Sequence, residues 1–193
     1  MAGSNLSSRI VVSVPDQRLA VVENGVPVAQ YPISTSRYGV GDRPGSYSTP
    51  LGSLEIAQKI GTNAPMGTVF KGRHATGEIL RPNAQGRDPI VTRILWLRGL
   101  EGANRNAYER GIYIHGTPVE REIGRPASFG CIRMRSADVV RVFDRVTIGT
   151  RITILNQPLN RALNEAVEAG RASAERPASE QRRADAGDRR ARS

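Results

Sequence analysis

The sequence predicts one mostly β domain of the α+β class, with a single well-defined helix and a short helix near its end. Several runs of four to ten residues are rich in β-branched side chains and are bounded by Gly, Pro, Asn and Asp, which is typical of strands and turns. Only one segment has a clear helical period. The chain has 193 residues, of which 38% are hydrophobic, and this is enough for one core.

The N-terminal part predicts an antiparallel meander. Ser8–Val14 and Arg18–Glu23 read as strands joined by the turn Pro15–Gln17. Asn24–Gly25 is a strong hairpin signal, because both residues tolerate positive φ. The meander then continues through Val26–Thr35.

The middle of the chain alternates loops with buried strands. Residues 36–52 read as a loop and Leu54–Ile60 as a strand. Residues 61–86 lack a clear period and predict a long irregular insertion, a length typical of lids and binding loops. Pro89–Leu97 is the most apolar run and predicts a central strand, and Gly111–His115 predicts a short strand that ends at the histidine.

The helix is expected to begin at Ser136 as its N-cap, with Asp138 in the positive first turn. Its apolar stripe follows an i, i+3, i+4, i+7 spacing and comprises Val139, Val142, Phe143 and Val146. Thr150–Leu155 predicts a closing strand. We therefore expect a domain over residues 8–157. Residues 158–193 should hold a short helix lined by Leu159, Leu163 and Val167, then a disordered tail from Gly170.

The charge pattern argues against a nucleic-acid-binding protein. The formal charge is +10, and residues 1–159 hold 20 basic and 12 acidic side chains. A basic body attracts polyanions or acidic small substrates. No basic run is interleaved with aromatic residues, and no known nucleic-acid motif is present.

The N-terminus lacks the features of a secretory signal, and no apolar run approaches the length of a membrane span. We therefore expect a cytoplasmic protein if the chain is complete, the alternative being the periplasm or cell envelope. The lone cysteine excludes an internal disulfide. Two histidines and one cysteine without short ligand spacing do not predict a zinc site, and no metal is expected.

The segment Tyr113–Met134 carries the chemistry that the sequence offers. It contains Cys131, the only cysteine, and His115, one of two histidines. Taken singly, such residues are most often a small buried hydrophobe and a hydrogen-bonded structural imidazole. The other histidine, His74, is more simply a solvated loop residue than a lid contact.

The setting of Cys131 favours a reactive thiol. It precedes the Ser136 helix, and a helix N-terminus together with cations favours thiolate over thiol. The amides of Gly130 and Cys131 could form an oxyanion hole. His115 could act as the base while the Gly116 carbonyl fixes its tautomer. The cations expected nearby are Arg125, Arg133 and Arg135, whereas Glu120 and Glu122 read as solvated charges.

These residues resemble the signature of the L,D-transpeptidases with a YkuD-type catalytic domain. His115-Gly116-Thr117, a ten-residue spacer and then Ser128-Phe129-Gly130-Cys131-Ile132-Arg133 follow the family order His-Gly, spacer, Ser-His-Gly-Cys. Upstream segments agree too, among them Thr49-Pro50-Leu51-Gly52. The resemblance covers about residues 8–156.

The resemblance implies a β-sandwich-like domain and cysteine acyl transfer on peptidoglycan stem peptides or free muropeptides, without a cofactor. The thiol attacks the carbonyl of the third stem residue, commonly diaminopimelate. The terminal D-alanine then leaves, and the rest of the peptide remains bound to the enzyme as a thioester. The implied catalytic residues are Cys131, His115 and Gly116. Ser128 and Gly130 would shape the cysteine loop. Arg133 would bind a substrate carboxylate or brace the loop, and the other implied substrate contacts are Tyr113, Phe129 and Thr117.

The sequence departs from the family at Phe129, where the family usually has histidine. Phenylalanine cannot donate a hydrogen bond, so handling of an amine acceptor is expected to suffer. The missing secretory signal points the same way, since a cytoplasmic enzyme would meet free muropeptides. We therefore expect an L,D-carboxypeptidase that hydrolyses tetrapeptides to tripeptides in muropeptide recycling, and we expect it to be a monomer. The alternatives are a transpeptidase forming 3→3 cross-links, a non-catalytic peptide-binding module and, more distantly, a cysteine hydrolase of another fold.

Overall fold

The computed structural model describes residues 8–165, and within that range ten strands form one continuous hydrogen-bonded sheet. The strands are β1 Ser8–Ser13, β2 Arg18–Glu23, β3 Val26–Pro32, β4 Gly52–Ile60, β5 Thr68–Lys71, β6 His74–Ile79, β7 Ile90–Gly99, β8 Tyr113–Gly116, β9 Ile132–Met134 and β10 Arg151–Leu155. Helix α1 spans Ser136–Arg145, and 3₁₀ turns span Gly102–Asn104 and Glu120–Glu122.

The main path of the sheet has the order β3-β2-β1-β10-β4-β7-β5-β6, while β8 pairs with β7 and β9 pairs with β8. Only two of these pairings, β1 with β10 and β8 with β9, are parallel. The predicted mostly β class is confirmed. The sheet is continuous rather than two separately hydrogen-bonded layers, and one core cluster is shared by side chains from β1, β2, β4, β7, β8, β9 and β10.

Period-two alternation decides which side chains enter that core. Pairs such as Ile10 and Val12 in β1 point inward, as a pleated strand requires, while the residue between them faces the other way. The same alternation in β7, β8 and β9 sends Leu95, Leu97, Ile114, Ile132 and Met134 inward. The opposite face of β7 and β8 carries a second cluster containing Phe70, Ile94 and Tyr113.

Two helical segments cover the sheet. Helix α1 buries Val139, Val142 and Phe143 in the main core, as its periodicity predicts. Residues 159–165 are helical and pack Leu159, Ala162 and Leu163 on the outer face of β1 and β2. Within the described range, neither helix is long and apolar enough to cross a bilayer. The expectations for Val167 and for the chain from Gly170 concern residues outside that range.

Two local predictions are wrong. The segment 61–86 is not irregular, because it contains the β5–β6 hairpin, which pairs with β7 and escaped detection because β6 is largely exposed. Ser136 is not the N-cap of α1, since that position is Arg135, without a side-chain cap hydrogen bond. The Ser136 hydroxyl instead lies 2.7 Å from the Thr92 hydroxyl of β7.

Candidate active site

Strands β8 and β9 bring the predicted nucleophile and base to the same face of the sheet. The two strands run parallel, with His115 beside Arg133. Because Ile114 and Ile132 point into the core, His115 and Arg133 project from the opposite face. Cys131, two residues before Arg133, packs against the cluster on that outer face. His115 and Cys131 line one pocket of about 160 Å³.

Gly116 is required by the close approach of β7. A Cβ at this position would lie 2.6 Å from the Val91 carbonyl oxygen, so no larger residue fits without backbone movement. β7 is irregular opposite this point, with a register shift between Val91 and Ile94, and Thr92 has φ of 72°. Such bulges re-aim neighbouring side chains, and this one lies beside the site.

The imidazole of His115 is buried, and its Nδ1 lies 2.8 Å from the Gly116 carbonyl oxygen. A carbonyl only accepts hydrogen bonds, so Nδ1 carries the proton and the neutral ring keeps its lone pair on Nε2. Burial lowers the pKa of His115; the Gly116 hydrogen bond and the negative charge of Asp88 oppose that effect, and Arg133 adds to it. The ring is thus a neutral base at pH 7.

The thiol of Cys131 is less acidic than the sequence suggests. Burial raises its pKa to about 11, against opposing effects of the Tyr113 amide and the positive charges of Arg110 and Arg133. Cys131 is not part of α1 or its first turn, because strand β9 separates the two along the chain. The sulfur donates to the Gly111 carbonyl and accepts from the Tyr113 amide, both at 3.4 Å.

Of the three cations predicted near Cys131, Arg133 does lower the pKa of the thiol, whereas Arg125 and Arg135 are not among the charges that act on it. Arg125 pairs with Glu122, and Arg135 is exposed. Glu120 is not merely solvated, because its carboxylate accepts a 2.9 Å hydrogen bond from the Ser136 amide at the start of α1.

Arg110 is a site residue that the sequence analysis missed. Its guanidinium is buried in an ion pair with Asp42 at 2.9 Å and donates to the Ser48 carbonyl at 2.6 Å. It lines a second pocket of about 300 Å³, which also contains Cys131. No local motif marks it, because Asp42 and Arg110 lie on separate loops and meet only in the folded protein.

The cysteine loop is held by a small hydrogen-bond network. The Ser128 hydroxyl donates to the Cys131 carbonyl at 2.6 Å, and the Gly130 amide donates to that hydroxyl at 3.3 Å. Thr49 donates to the Gly130 carbonyl at 3.0 Å. Gly130 has φ of 120°, a left-handed conformation that favours glycine. Its amide, predicted for an oxyanion hole, is therefore already engaged by Ser128.

A second missed residue, Asp88, organises the other side of the smaller pocket. It forms an ion pair with Arg133 and accepts a hydrogen bond from the Thr117 hydroxyl. Arg133 also donates to the Ser34 hydroxyl at 3.3 Å, so its guanidinium braces the fold. Thr117 is fully buried, which corrects its prediction as a substrate contact. Asp88 follows the β5–β6 hairpin, where the sequence offered no motif.

Tyr113 and Phe129 have different surroundings. Tyr113 is largely buried, meets Trp96 edge-on and accepts a hydrogen bond from Arg73, so its contribution beside the thiol is its backbone amide. This corrects the expectation that its ring contacts substrate. Phe129 is 56% exposed and lines both pockets that flank Cys131.

His74 is exposed at the start of β6. Within residues 8–165, no cluster of three or more acidic, histidine or cysteine side chains could hold a metal ion.

Solved structures share this architecture. An L,D-transpeptidase of Xylanimonas cellulosilytica superposes with a TM-score of 0.51 and 20% identity over 79% of this chain and 62% of that chain. L,D-transpeptidase 3 of Mycobacterium tuberculosis, in complex with a faropenem-derived adduct, gives a TM-score of 0.50 and 19% identity over 77% and 60%. At these identities the likeness concerns the fold.

Sequence comparisons give the family. The Bacillus subtilis protein YkuD, named as an L,D-transpeptidase, is 38% identical over 81 residues, which is 42% of this chain and 49% of that protein. The Escherichia coli protein YcfS, also named as an L,D-transpeptidase, is 43% identical over 58 residues, or 30% and 18%. The matched segments thus span less than half of these relatives. The family model of the L,D-transpeptidase catalytic domain (YkuD) matches residues 7–154, and the chain therefore belongs to that family.

Proposed function

We propose that this protein is a cysteine acyl-transfer enzyme acting on peptidoglycan stem peptides, with water as its main acceptor. The observation that carries the proposal is that Cys131 and His115 line one open pocket while Gly116 fixes the imidazole tautomer. Membership of the L,D-transpeptidase family supports the choice of substrate. The product from a tetrapeptide is then a tripeptide and free D-alanine.

The raised pKa of Cys131 and the lowered pKa of His115 determine how the reaction starts. The resting pair is a neutral thiol and a neutral imidazole. The thiol first releases its hydrogen bond to the Gly111 carbonyl, and His115 Nε2 then removes its proton as the sulfur attacks the carbonyl carbon. The sulfur–carbon bond forms, and the carbonyl electrons move onto oxygen. The tetrahedral intermediate then collapses, the carbon–nitrogen bond breaks, and the imidazolium gives its proton to the departing D-alanine amine.

The thioester is resolved by the same base. His115 Nε2 takes a proton from a water molecule as the water oxygen attacks the thioester carbon. The carbon–sulfur bond then breaks, and the imidazolium returns the proton to the sulfur. The Tyr113 amide, which contacts the sulfur, stabilises the thiolate character that develops in both steps. Arg110 lowers the pKa of the same thiol and favours that charge as well.

Phe129 favours water over an amine acceptor. It stands between the two pockets and offers no hydrogen bond with which to hold and orient an incoming amine. The second candidate is transpeptidation, giving a 3→3 cross-link. The specific observation in its favour is the larger pocket, of about 300 Å³, on the other side of Cys131, which is wide enough for part of an acceptor stem.

A defined disaccharide-tetrapeptide carrying diaminopimelate distinguishes the candidates when products are read by mass spectrometry. We expect equal amounts of disaccharide-tripeptide and D-alanine, and no turnover by Cys131→Ala. Accumulation of a cross-linked dimer as the main product reverses the choice of acceptor. Binding without any turnover by the unmodified protein favours a peptide-binding module and rejects the proposed enzyme.

A further inference from the structure

Three aromatic rings form an exposed cluster next to the two pockets. The exposed fractions of Tyr38, Tyr47 and Phe129 are 51%, 57% and 56%. The other aromatic side chains of the described range are buried or half-buried. Their ring centroids are 5.8 Å apart for Tyr38–Tyr47, 5.6 Å for Tyr38–Phe129 and 6.0 Å for Tyr47–Phe129. Contiguous apolar surface of this kind marks a binding site more often than a scattered exposed side chain does.

This cluster, the aromatic platform, is continuous with the pocket beside the thiol. Tyr47 and Phe129 line the larger pocket together with Cys131, and Tyr38 extends the surface outward from Phe129. The guanidinium of Arg37 lies 4.3 Å from the Phe129 ring centroid and helps to fix the plane of that ring. Exposed Glu109 contributes a carboxylate to the rim of the same pocket.

We infer that the aromatic platform binds the sugar part of a glycopeptide substrate, an N-acetylated disaccharide. This inference rests on the proposed function and extends it by assigning the part of the substrate that lies away from the scissile bond. A pyranose ring has faces of slightly positive C–H bonds, and the negative face of an aromatic ring attracts them. Its hydroxyls point outward from the ring edge, where the Glu109 carboxylate can accept their hydrogen bonds.

The stem peptide itself gives the platform no comparable partner. The units at the scissile bond, diaminopimelate and D-alanine, offer little apolar area to three exposed rings. The sugars are the part of a muropeptide with broad C–H faces. A site of this kind combines several apolar or aromatic contacts with a few polar groups, as small-molecule sites generally do.

The distances agree with this assignment. Phe129 is two residues from Cys131, which limits the separation of their Cα atoms to about 7 Å. The centroids of the two tyrosine rings lie 5.6 and 6.0 Å from the centroid of the Phe129 ring. The platform therefore lies on the order of 10 Å from the nucleophile. Three stem units between the sugar and the scissile bond span about 10 Å when extended, which places the sugar over the rings.

Binding is tested with the inactive Cys131→Ala protein. The peptide-free disaccharide N-acetylglucosaminyl-N-acetylmuramic acid is titrated into it, and binding is monitored by NMR. We expect saturable binding with shifts at Tyr38 and Tyr47. Tyr38→Leu, which keeps apolar bulk but removes the ring, should weaken binding about threefold to tenfold. Tyr38→Phe, which keeps the ring, should bind within twofold of the parent. Absence of binding, or equal loss in both Tyr38 variants, overturns the inference.

The activity arm separates this inference from the proposed function. The active protein should have a higher kcat/KM for a disaccharide-tetrapeptide than for the sugar-free tetrapeptide, and Tyr38→Leu should shrink that ratio. Equal use of both substrates, with an unchanged ratio in Tyr38→Leu, overturns the sugar site while leaving the enzyme intact. Disaccharide binding in a protein that cleaves neither substrate supports the sugar site and rejects the enzyme. A concentration-dependent dimer abolished by Tyr38→Leu, without sugar binding, assigns the platform to self-association instead.

Discussion

His115 hydrogen-bonds through Nδ1 to the carbonyl oxygen of Gly116, its neighbour in the chain, at 2.8 Å. At the same point the backbone of Gly116 passes against β7, where a side chain has no room. The hydrogen bond between His115 and Gly116 fixes which ring nitrogen is protonated and leaves Nε2 as the proton acceptor. With a thiol whose pKa is about 11, the resting pair is neutral at pH 7, and four predictions depend on this charge state and its neighbours.

The first prediction concerns alkylation of Cys131 by iodoacetamide as a function of pH. Burial raises the pKa of the thiol from 9.0 to about 11, so the thiolate fraction should still grow about tenfold per pH unit between pH 7 and 9. The measurement is the second-order rate by intact-protein mass spectrometry. A rate that is flat from pH 6 to 9 contradicts this, because it indicates a thiolate–imidazolium pair already formed.

The second prediction tests Arg110. Its positive charge lowers the pKa of Cys131, so removing it should slow alkylation at pH 8 by about threefold to tenfold. Because Arg110 and Asp42 form a buried pair, removing one partner costs about 3–5 kcal/mol in stability. The double variant Arg110→Met, Asp42→Asn removes both charges and is the one to measure. Arg98→Met, which alters an exposed pair with Glu55, is the matched control and should alkylate at the parental rate.

The third prediction concerns Asp88→Asn and the acid limb of kcat/KM. The carboxylate of Asp88 favours the protonated imidazole, so its loss should lower the pKa of His115 further and move the acid limb to lower pH. Arg133 also loses its ion-pair partner, and a cost of about 1–2 kcal/mol is expected in urea unfolding, since a third of the Asp88 side chain is exposed. Glu78→Gln, in an exposed pair with Arg87, should change neither quantity. A shift of the limb to higher pH contradicts the charge assignment.

The fourth prediction concerns the acceptor. Phe129→His introduces a hydrogen-bonding group between the two pockets, where an amine acceptor would approach. We expect Phe129→His to give a higher ratio of cross-linked dimer to tripeptide than the unmodified protein when both consume the same disaccharide-tetrapeptide. Phe129→Leu provides the control for loss of the aromatic ring alone. An unchanged dimer fraction in Phe129→His removes Phe129 from the account of acceptor choice.

The elements that the sequence predicted well are those decided by local pattern. The β1–β2–β3 meander follows from alternating β-branched residues and the Asn24-Gly25 turn, and α1 follows from its apolar stripe. The β5–β6 hairpin was missed because an exposed edge strand buries too little to show a period. Its existence depends on pairing with β7, which a local pattern does not encode.

Some residues of the candidate site are marked by a local sequence pattern, whereas others come together only in the folded chain. His115, Gly116 and Cys131 follow a recognisable order along one segment, so the sequence pattern alone identifies them as candidate site residues. Arg110 and Asp88 come from loops distant in sequence, and only the folded chain shows what they contact. The charge state of the thiol was predicted wrongly because burial, which the sequence does not reveal, outweighs the nearby cations.

Acylation of Cys131 can be observed by intact-protein mass spectrometry of acid-quenched reactions with the tetrapeptide substrate. We expect a transient adduct whose added mass equals the acyl tripeptide portion of the substrate. It should be confined to Cys131, absent from Cys131→Ala and formed far more slowly by His115→Gln. Release of D-alanine by Cys131→Ala at the parental rate, or an adduct on another residue, would contradict this expectation.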